Sequence, residues 1–186
     1  MLEEHQVHTQ GLVTARGNTF RWVGEYSEDL KQTHTLDTQL NVFADFSPEL
    51  KAQDRNHPFL FLANIDPELQ YQVLQQMAEC PKVVAGDTMN FWIDGKPGAL
   101  RQVMNAVDIV MINEGETKQL AQEPNLVKAA KQILGLGPHM VVVKRGECGA
   151  IAFTGDSVFA APAYPLETVV DPTGAGDAFA GGFMGY

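Results

Sequence analysis

Apolar residues fall along this chain in two rhythms. Over residues 17–24 and 33–43 they alternate with polar ones, around Phe20 and Trp22 in the first stretch and with Leu36, Leu40 and Phe43 among the apolar members of the second. A period of two marks half-buried strands, and two of them separated by Glu, Asp and Lys residues predict a hairpin. An ordinary edge hairpin of a larger sheet fits the same pattern. After Pro48 the rhythm changes: residues 59–63 are continuously apolar, as in a strand buried on both faces of a parallel sheet. Asp66-Pro67 then supplies a helix cap and a proline at the first helical position, ahead of Leu69, Val73, Leu74 and Met77 at helical spacing. Further strands are predicted at 82–85, 109–112, 140–143 and 150–153, helices at 97–107, 116–122 and 126–134, and a short β-branched strand at 168–170.

Strand and helix alternate from residue 59 onward. That order predicts an α/β fold, a mostly parallel, doubly wound sheet flanked by helices, with right-handed crossovers and a ligand crevice at the carboxyl ends of the strands. Those ends carry polar residues: Asn64 and Asp66 after the first strand, Asp87 and Asn90 after the second, Asn113 and Glu116 after the third, and Lys144 to Gly149 after the fourth. The run Asp87-Thr88-Met89-Asn90-Phe91-Trp92 suits a sugar or nucleoside pocket as well as it suits a turn before a core Trp, and it receives no catalytic role.

The most informative segment is Asp171-Pro172-Thr173-Gly174-Ala175-Gly176-Asp177-Ala178-Phe179-Ala180-Gly181-Gly182-Phe183. It reads as strand, Pro/Gly turn and helix start. Backbone N–H groups in the first helical turn lack intrahelical acceptors and face the positive end of the helix dipole, so they bind anions. Gly174 and Gly176 allow close approach of a phosphate. A carboxylate beside such a cradle only repels phosphate unless it accepts the proton of the group that attacks it, the role the pattern gives Asp177.

This segment resembles the C-terminal signature of the ribokinase-like (PfkB) carbohydrate kinases, and each position from Asp171 through Met184 fits it. The resemblance implies ATP and Mg²⁺ as reactants, a sugar or nucleoside as acceptor, Asp177 as catalytic base, and Gly174, Ala175 and Gly176 as an anion hole. It puts Asp171 and Thr173 where some members bind a monovalent cation. Asn113-Glu114-Gly115-Glu116 resembles the family's Asn-x-x-Glu motif, which implies that Asn113 touches ATP phosphates and Glu116 acts on Mg²⁺ through water. The same residues also read as a helix start decorated with acidic groups. Gly146 and Gly149 resemble the family's Gly-x-x-Gly loop beside the nucleotide. Lys144 and Arg145 depart from the hydroxyl or aliphatic residues expected there, and they fit either phosphate contacts or a solvated hairpin edge.

By the same resemblance residues 11–46 are a β lid, through which the family would allow a homodimer, and residues 1–10 and 47–186 are the α/β core. The Gly-rich sugar-binding signature found near the family's N-terminus does not occur, and residue 186 falls within a helix expected to continue. The chain is therefore expected to be an internal piece of a longer kinase, with weak ATP binding and no turnover alone.

Composition narrows the alternatives. A 45% hydrophobic content supports a packed core, and a net charge of −10 argues against a nucleic-acid surface, so positive potential must come locally from helix starts, Lys144, Arg145 and bound Mg²⁺. Two cysteines, Cys80 and Cys148, give no disulfide framework or zinc ribbon, and the five histidines lack metal-ligand spacing. With neither a leader pattern nor an apolar run of membrane length, the expectation is a cytoplasmic protein without a membrane partner. Phe179 stands where a dinucleotide fingerprint needs glycine, Gly95-Lys96 lacks the rest of a Walker A loop, and there is no Gly-x-Ser-x-Gly. Two other readings stay open: a degenerate nucleotide-binding module without turnover, and another α/β enzyme that grips a phosphorylated metabolite.

Overall fold

The computed structural model describes residues 3–27 and 33–186, which divide into two compact units, 1–55 and 56–186. In the first, β1 (Arg21–Tyr26) and β2 (Thr33–Gln39) form a two-stranded antiparallel sheet with a register irregularity between Val23 and Gly24. The predicted hairpin is present; the connecting residues 28–32 lie outside the described residues. A Cβ on Gly24 would come within 2.1 Å of the Trp22 ring, so a larger residue there would displace that ring. The alternation does not extend to Phe43: Asn41–Asp45 is a 3-10 turn, and Phe43 meets Phe20 edge-on and stacks on Phe46, with ring centroids 5.6 Å from each.

In the second unit the strands run in chain order across one six-stranded sheet: β3 (Phe59–Leu62), β4 (Val83–Asp87), β5 (Ile109–Asn113), β6 (Met140–Lys144), β7 (Ala150–Thr154) and β8 (Val158–Ala161). The pairings from β3 to β6 are parallel, and β6–β7 and β7–β8 are antiparallel. The helices between them are α1 (Pro67–Gln76), α2 (Asn90–Gly95), α3 (Pro97–Met104), α4 (Glu114–Ala121) and α5 (Leu126–Leu134), and α6 (Ala175–Gly185) follows β8. Helix α1 starts as predicted: the Asp66 side chain accepts the Glu68 N–H and Pro67 occupies the first turn. Helix α5 is capped by Asn125, which accepts the Lys128 N–H.

Successive strand residues point to opposite faces, so each strand feeds two cores. One contains Leu62, Val84, Val110, Ile112, Val141, Val143 and Phe153, packed with Leu100 and Val103 of α3 and Ala130 and Ile133 of α5. The other contains Ala85, Met111 and Val142 with Ala180 of α6, and Phe179 and Met184 lean on it. The sheet is thus helix-covered on both faces, as the alternation implied.

Three expectations change. The β-branched run Thr168 to Val170 is not a strand: it pairs with no neighbour and Val170 is 92% exposed, because β propensity acts only where a partner strand offers a ladder. The segment after Asp87, open between a pocket and a turn before a core Trp, passes through Thr88 and Met89 into α2 at Asn90, and it is Ile93 that is buried, with Trp92 half-buried and in edge contact with Phe91 at 4.7 Å. Helix α3 stops at Met104, where Asn105 returns its side-chain amide to the Arg101 carbonyl.

Candidate active site at the carboxyl ends of the strands

Strand parity decides what gathers at the rim. Asp87, Asn113 and Lys144 are the last residues of β4, β5 and β6, and each shares the parity of Ala85, Met111 and Val142, the α6 face. The first turn of α6 lies at the same place: a Cβ on Gly176 would stand 3.3 Å from Lys144 Nζ. Helix α6 begins after Gly174, whose φ of +79° is a left-handed conformation that favours glycine. The Ala175 N–H donates to the Pro172 carbonyl and the Ala178 N–H to Gly174. Gly176 and Asp177 are the next residues of the turn, whose N–H groups have no intrahelical acceptor in any α-helix.

At the centre is an ion pair. Lys144 Nζ donates to Asp87 Oδ2 at 2.9 Å, with side-chain exposures of 17% and 7%, and the Thr88 N–H donates to Asp87 Oδ1 at 2.8 Å. Burial pushes the Asp87 carboxyl above the usual carboxylate range, opposed by Lys144 and the Thr88 N–H and reinforced by the charge of Asp177. The carboxylates of Asp87 and Asp177 therefore lie within electrostatic reach of each other.

Asn113 and Glu116 form a reciprocal capping box. The Glu116 N–H donates to Asn113 Oδ1 at 2.8 Å, and Glu116 Oε2 accepts the Asn113 N–H at 2.9 Å. Burial raises the Glu116 pKa, partly offset by the Asn113 N–H, with Asp87 raising it further and Lys144 lowering it. The capping reading of this motif is thus realised, and it coexists with a location at the charged rim.

The two cations at the end of β6 part company. Lys144 turns to Asp87, whereas Arg145 Nε donates to Glu114 Oε2 at 2.7 Å, and Glu114 also accepts Lys118 at 2.6 Å. Hydrogen bonds from Lys118 and then Arg145 hold the Glu114 carboxyl below its ordinary range. Immediately beyond, Gly146–Cys148 is a 3-10 turn. Gly146 and Gly149 have φ of +54° and +86°, and a Cβ on Gly149 would lie 2.0 Å from the Ala161 carbonyl oxygen, so both conformation and space demand glycine there. Asp171 and Thr173 meet each other: the Thr173 N–H donates to Asp171 Oδ1 at 2.8 Å, and hydrogen bonding by Thr173 lowers the exposed Asp171 carboxyl pKa.

The structure therefore brings Lys144, Glu116, Gly176 and Asp177 to one rim, and adds Asp87, which the sequence reading left without a role. The parity that Asp87 shares with Asn113 and Lys144 emerges only from the observed strand ends, since β4 runs two residues past the predicted 82–85. Among the described residues no cluster of three His, Cys, Asp or Glu is arranged to hold a metal ion. Glu116 keeps one carboxylate oxygen outside its capping box. One partly engaged carboxylate suits a hard cation that keeps its waters and is held mainly by phosphates.

A mostly parallel α/β sheet with a glycine-rich helix start at its carboxyl rim is an arrangement able to hold an anion. Residues 2–185 match the profile of the pfkB family carbohydrate kinases, and the chain belongs to that family. It is 43% identical over 90 residues to a cytidine kinase of Thermococcus kodakarensis, covering 47% of this chain and 32% of that protein. It is similar in fold to the adenosine kinase of Sinorhizobium meliloti, with a TM-score of 0.80 and 21% identity over 98% of this chain and 59% of that one. A ribokinase II-type protein of E. coli, solved with ATP and Mg²⁺, is 32% identical with a TM-score of 0.50 over 61% of this chain and 37% of that one. The chain spans less than two thirds of each of these proteins. No described helix is long and apolar enough to cross a membrane.

Proposed function

We propose that the protein carrying this chain transfers the γ-phosphoryl group of ATP to a primary hydroxyl of a nucleoside or sugar. The observation that supports this most is that the uncapped helix start at Gly176 comes against the partly buried Lys144, while Asp177 lies within electrostatic reach of Asp87, the partner of that lysine. Asp177 accepts the proton of the acceptor hydroxyl as its oxygen bonds to phosphorus; the bond from phosphorus to the bridging oxygen breaks, and its electron pair leaves with ADP. Gly174, Ala175 and Gly176 are assigned to the anion hole, where the Ala175 N–H would have to leave the Pro172 carbonyl to meet a phosphate, with Asn113, Lys144, Gly146 and Gly149 contacting the nucleotide. Glu116 would hold Mg²⁺ through water, and the ion supplies charge neutralisation on the phosphates when bound. Asp171 and Thr173 are assigned to a monovalent cation. Residues 11–46 are assigned to a lid and residues 1–10 and 47–186 to the catalytic core, in a cytoplasmic enzyme.

The cytidine kinase likeness makes nucleosides the first acceptors to try. The test is ATP consumption by the whole protein against a panel of nucleosides and sugars, with Asp177→Asn alongside. Acceptor-dependent ADP release that falls about 10² to 10⁴-fold in the variant, at nearly constant ATP affinity, supports the reading. Undiminished turnover in Asp177→Asn refutes the assigned base. ATP binding without turnover on any acceptor favours the non-catalytic module.

A further inference from the structure

The Asp87–Lys144 pair has no obvious structural reason to exist. Taking two charges out of water costs about as much as their attraction returns, and a pair of aliphatic residues would serve the core at least as well. The pair lies at a rim already rich in negative charge, since Asp177 acts electrostatically on Asp87 and Asp87 in turn on Glu116. An anion entering there meets three carboxylates, and nearby cations are engaged elsewhere: Arg145 and Lys118 on Glu114, Lys96 on Asp66 and Glu68. Lys144 is the exception. Its ammonium carries three donors, commits one to Asp87, and sits 3.3 Å from where a Gly176 Cβ would be. Glycine at 176 therefore leaves the ammonium open to whatever docks on the first turn of α6.

Resting on the phosphotransfer reading, we propose that Lys144 contacts the transferring γ-phosphoryl group and that Asp87 is its positioning residue. The γ position follows from geometry. Gly176 adjoins Asp177, and the phosphoryl group nearest the base is the one the acceptor attacks. Asp87 is itself locked by the Thr88 N–H, so the ammonium is held before substrate arrives and needs no reorganisation as charge develops. Lys144 remains protonated throughout and donates hydrogen bonds only. Arg145, one residue on, takes no part because Glu114 holds it.

Calorimetric titration of the whole protein with MgATP and with MgADP tests this directly. Lys144→Met should weaken ATP about 10 to 100-fold while leaving ADP within about twofold, because only the triphosphate reaches the ammonium. It should also lower kcat by about 10²-fold or more with the acceptor KM unchanged. Asp87→Asn should lower the ATP preference less, and the double variant should be no worse than Lys144→Met, as expected of two residues acting through one contact. Arg145→Gln should keep the preference intact. Thermal unfolding checks that each variant is folded, and Lys144→Gln replaces Lys144→Met if the latter is not. Equal loss of ATP and ADP affinity, or multiplicative effects of Asp87 and Lys144, overturns the inference while leaving phosphotransfer standing. A parent protein that binds neither nucleotide and turns over no acceptor overturns both.

Discussion

The two faces of the six-stranded sheet are built from the same strands and do different work. On one face Val84, Val110, Ile112, Val141 and Val143 meet the large side chains of α3 and α5, among them Leu100, Met104 and Ile133, all essentially inaccessible. On the other, Ala85, Met111 and Val142 meet α6, whose only buried residue is Ala180. The first face is thick and apolar and supplies most of the hydrophobic stabilisation, about 1.5–3 kcal/mol for each fully buried large aliphatic side chain. The second is thin, which lets a helix start come close to the strand ends, where Asp87, Asn113 and Lys144 project. Stability and chemistry are separated by a single step of strand register, and a one-residue slip would exchange them.

The sharpest way to break this division is to thicken the thin face at its rim. Gly176→Val places branched carbon where the Lys144 ammonium stands, so MgATP binding and turnover should fall together, the rate by about 10³-fold, with little change in melting temperature. Unchanged calorimetric ATP binding in a folded variant would contradict the assignment. The converse change belongs to the thick face. Ile133→Ala should cost about 2–5 kcal/mol in denaturant unfolding and leave nucleotide affinity unaltered below the transition, because it opens a cavity far from the rim.

Smaller effects separate the two readings of the α4 cap. Asn113→Ala removes the Oδ1 acceptor of the Glu116 N–H and should cost about 1 kcal/mol. Glu116→Gln keeps an acceptor for the Asn113 N–H, so stability should hardly change, while the Mg²⁺ concentration for half-maximal rate should rise. An unmoved Mg²⁺ titration would leave Glu116 as a cap alone.

The smallest effect is electrostatic. Burial raises the folded-state pKa of Asp87 and of Glu116, so in the window above the ordinary carboxylate pKa of about 4 the folded protein binds more protons than the unfolded chain. These groups therefore add stability as pH falls into that window and lose it as pH rises out of it, opposite to the usual ion-paired carboxylate. The stability of Asp87→Asn relative to the parent should accordingly be greater near neutrality than at the acid end, a slope that denaturant titrations at several pH values resolve. A flat difference would mean that Lys144 fully offsets the burial.

The elements were legible where local chemistry specifies them. Asp66-Pro67 announced α1, the helix read at 126–134 is α5 as found, and Asn113 and Glu116 showed both the cap and the rim position. Thr168 to Val170 misled because branching favours a strand only where a ladder is offered, and the sheet stops at β8. Strand β8 itself, Val158–Ala161, is short and mostly exposed and becomes a strand by pairing with β7. Asp87 is placed on the rim by the sequence but given no role, because the run after it suits a turn before a core Trp as well as a pocket. Its importance depends on face parity across three strands, and buried strands that are apolar on both sides conceal which parity faces the site.

Hydrogen–deuterium exchange of the whole protein, with and without the Mg²⁺ complex of a non-hydrolysable ATP analogue, tests most directly whether the α6 side of the rim is the phosphoryl-transfer site. The account predicts new protection at 87–90, 113–117, 144–150 and 174–178, with α1, α3 and α5 exchanging as before. Protection centred on those three helices, or none along the rim at saturating nucleotide, would contradict it.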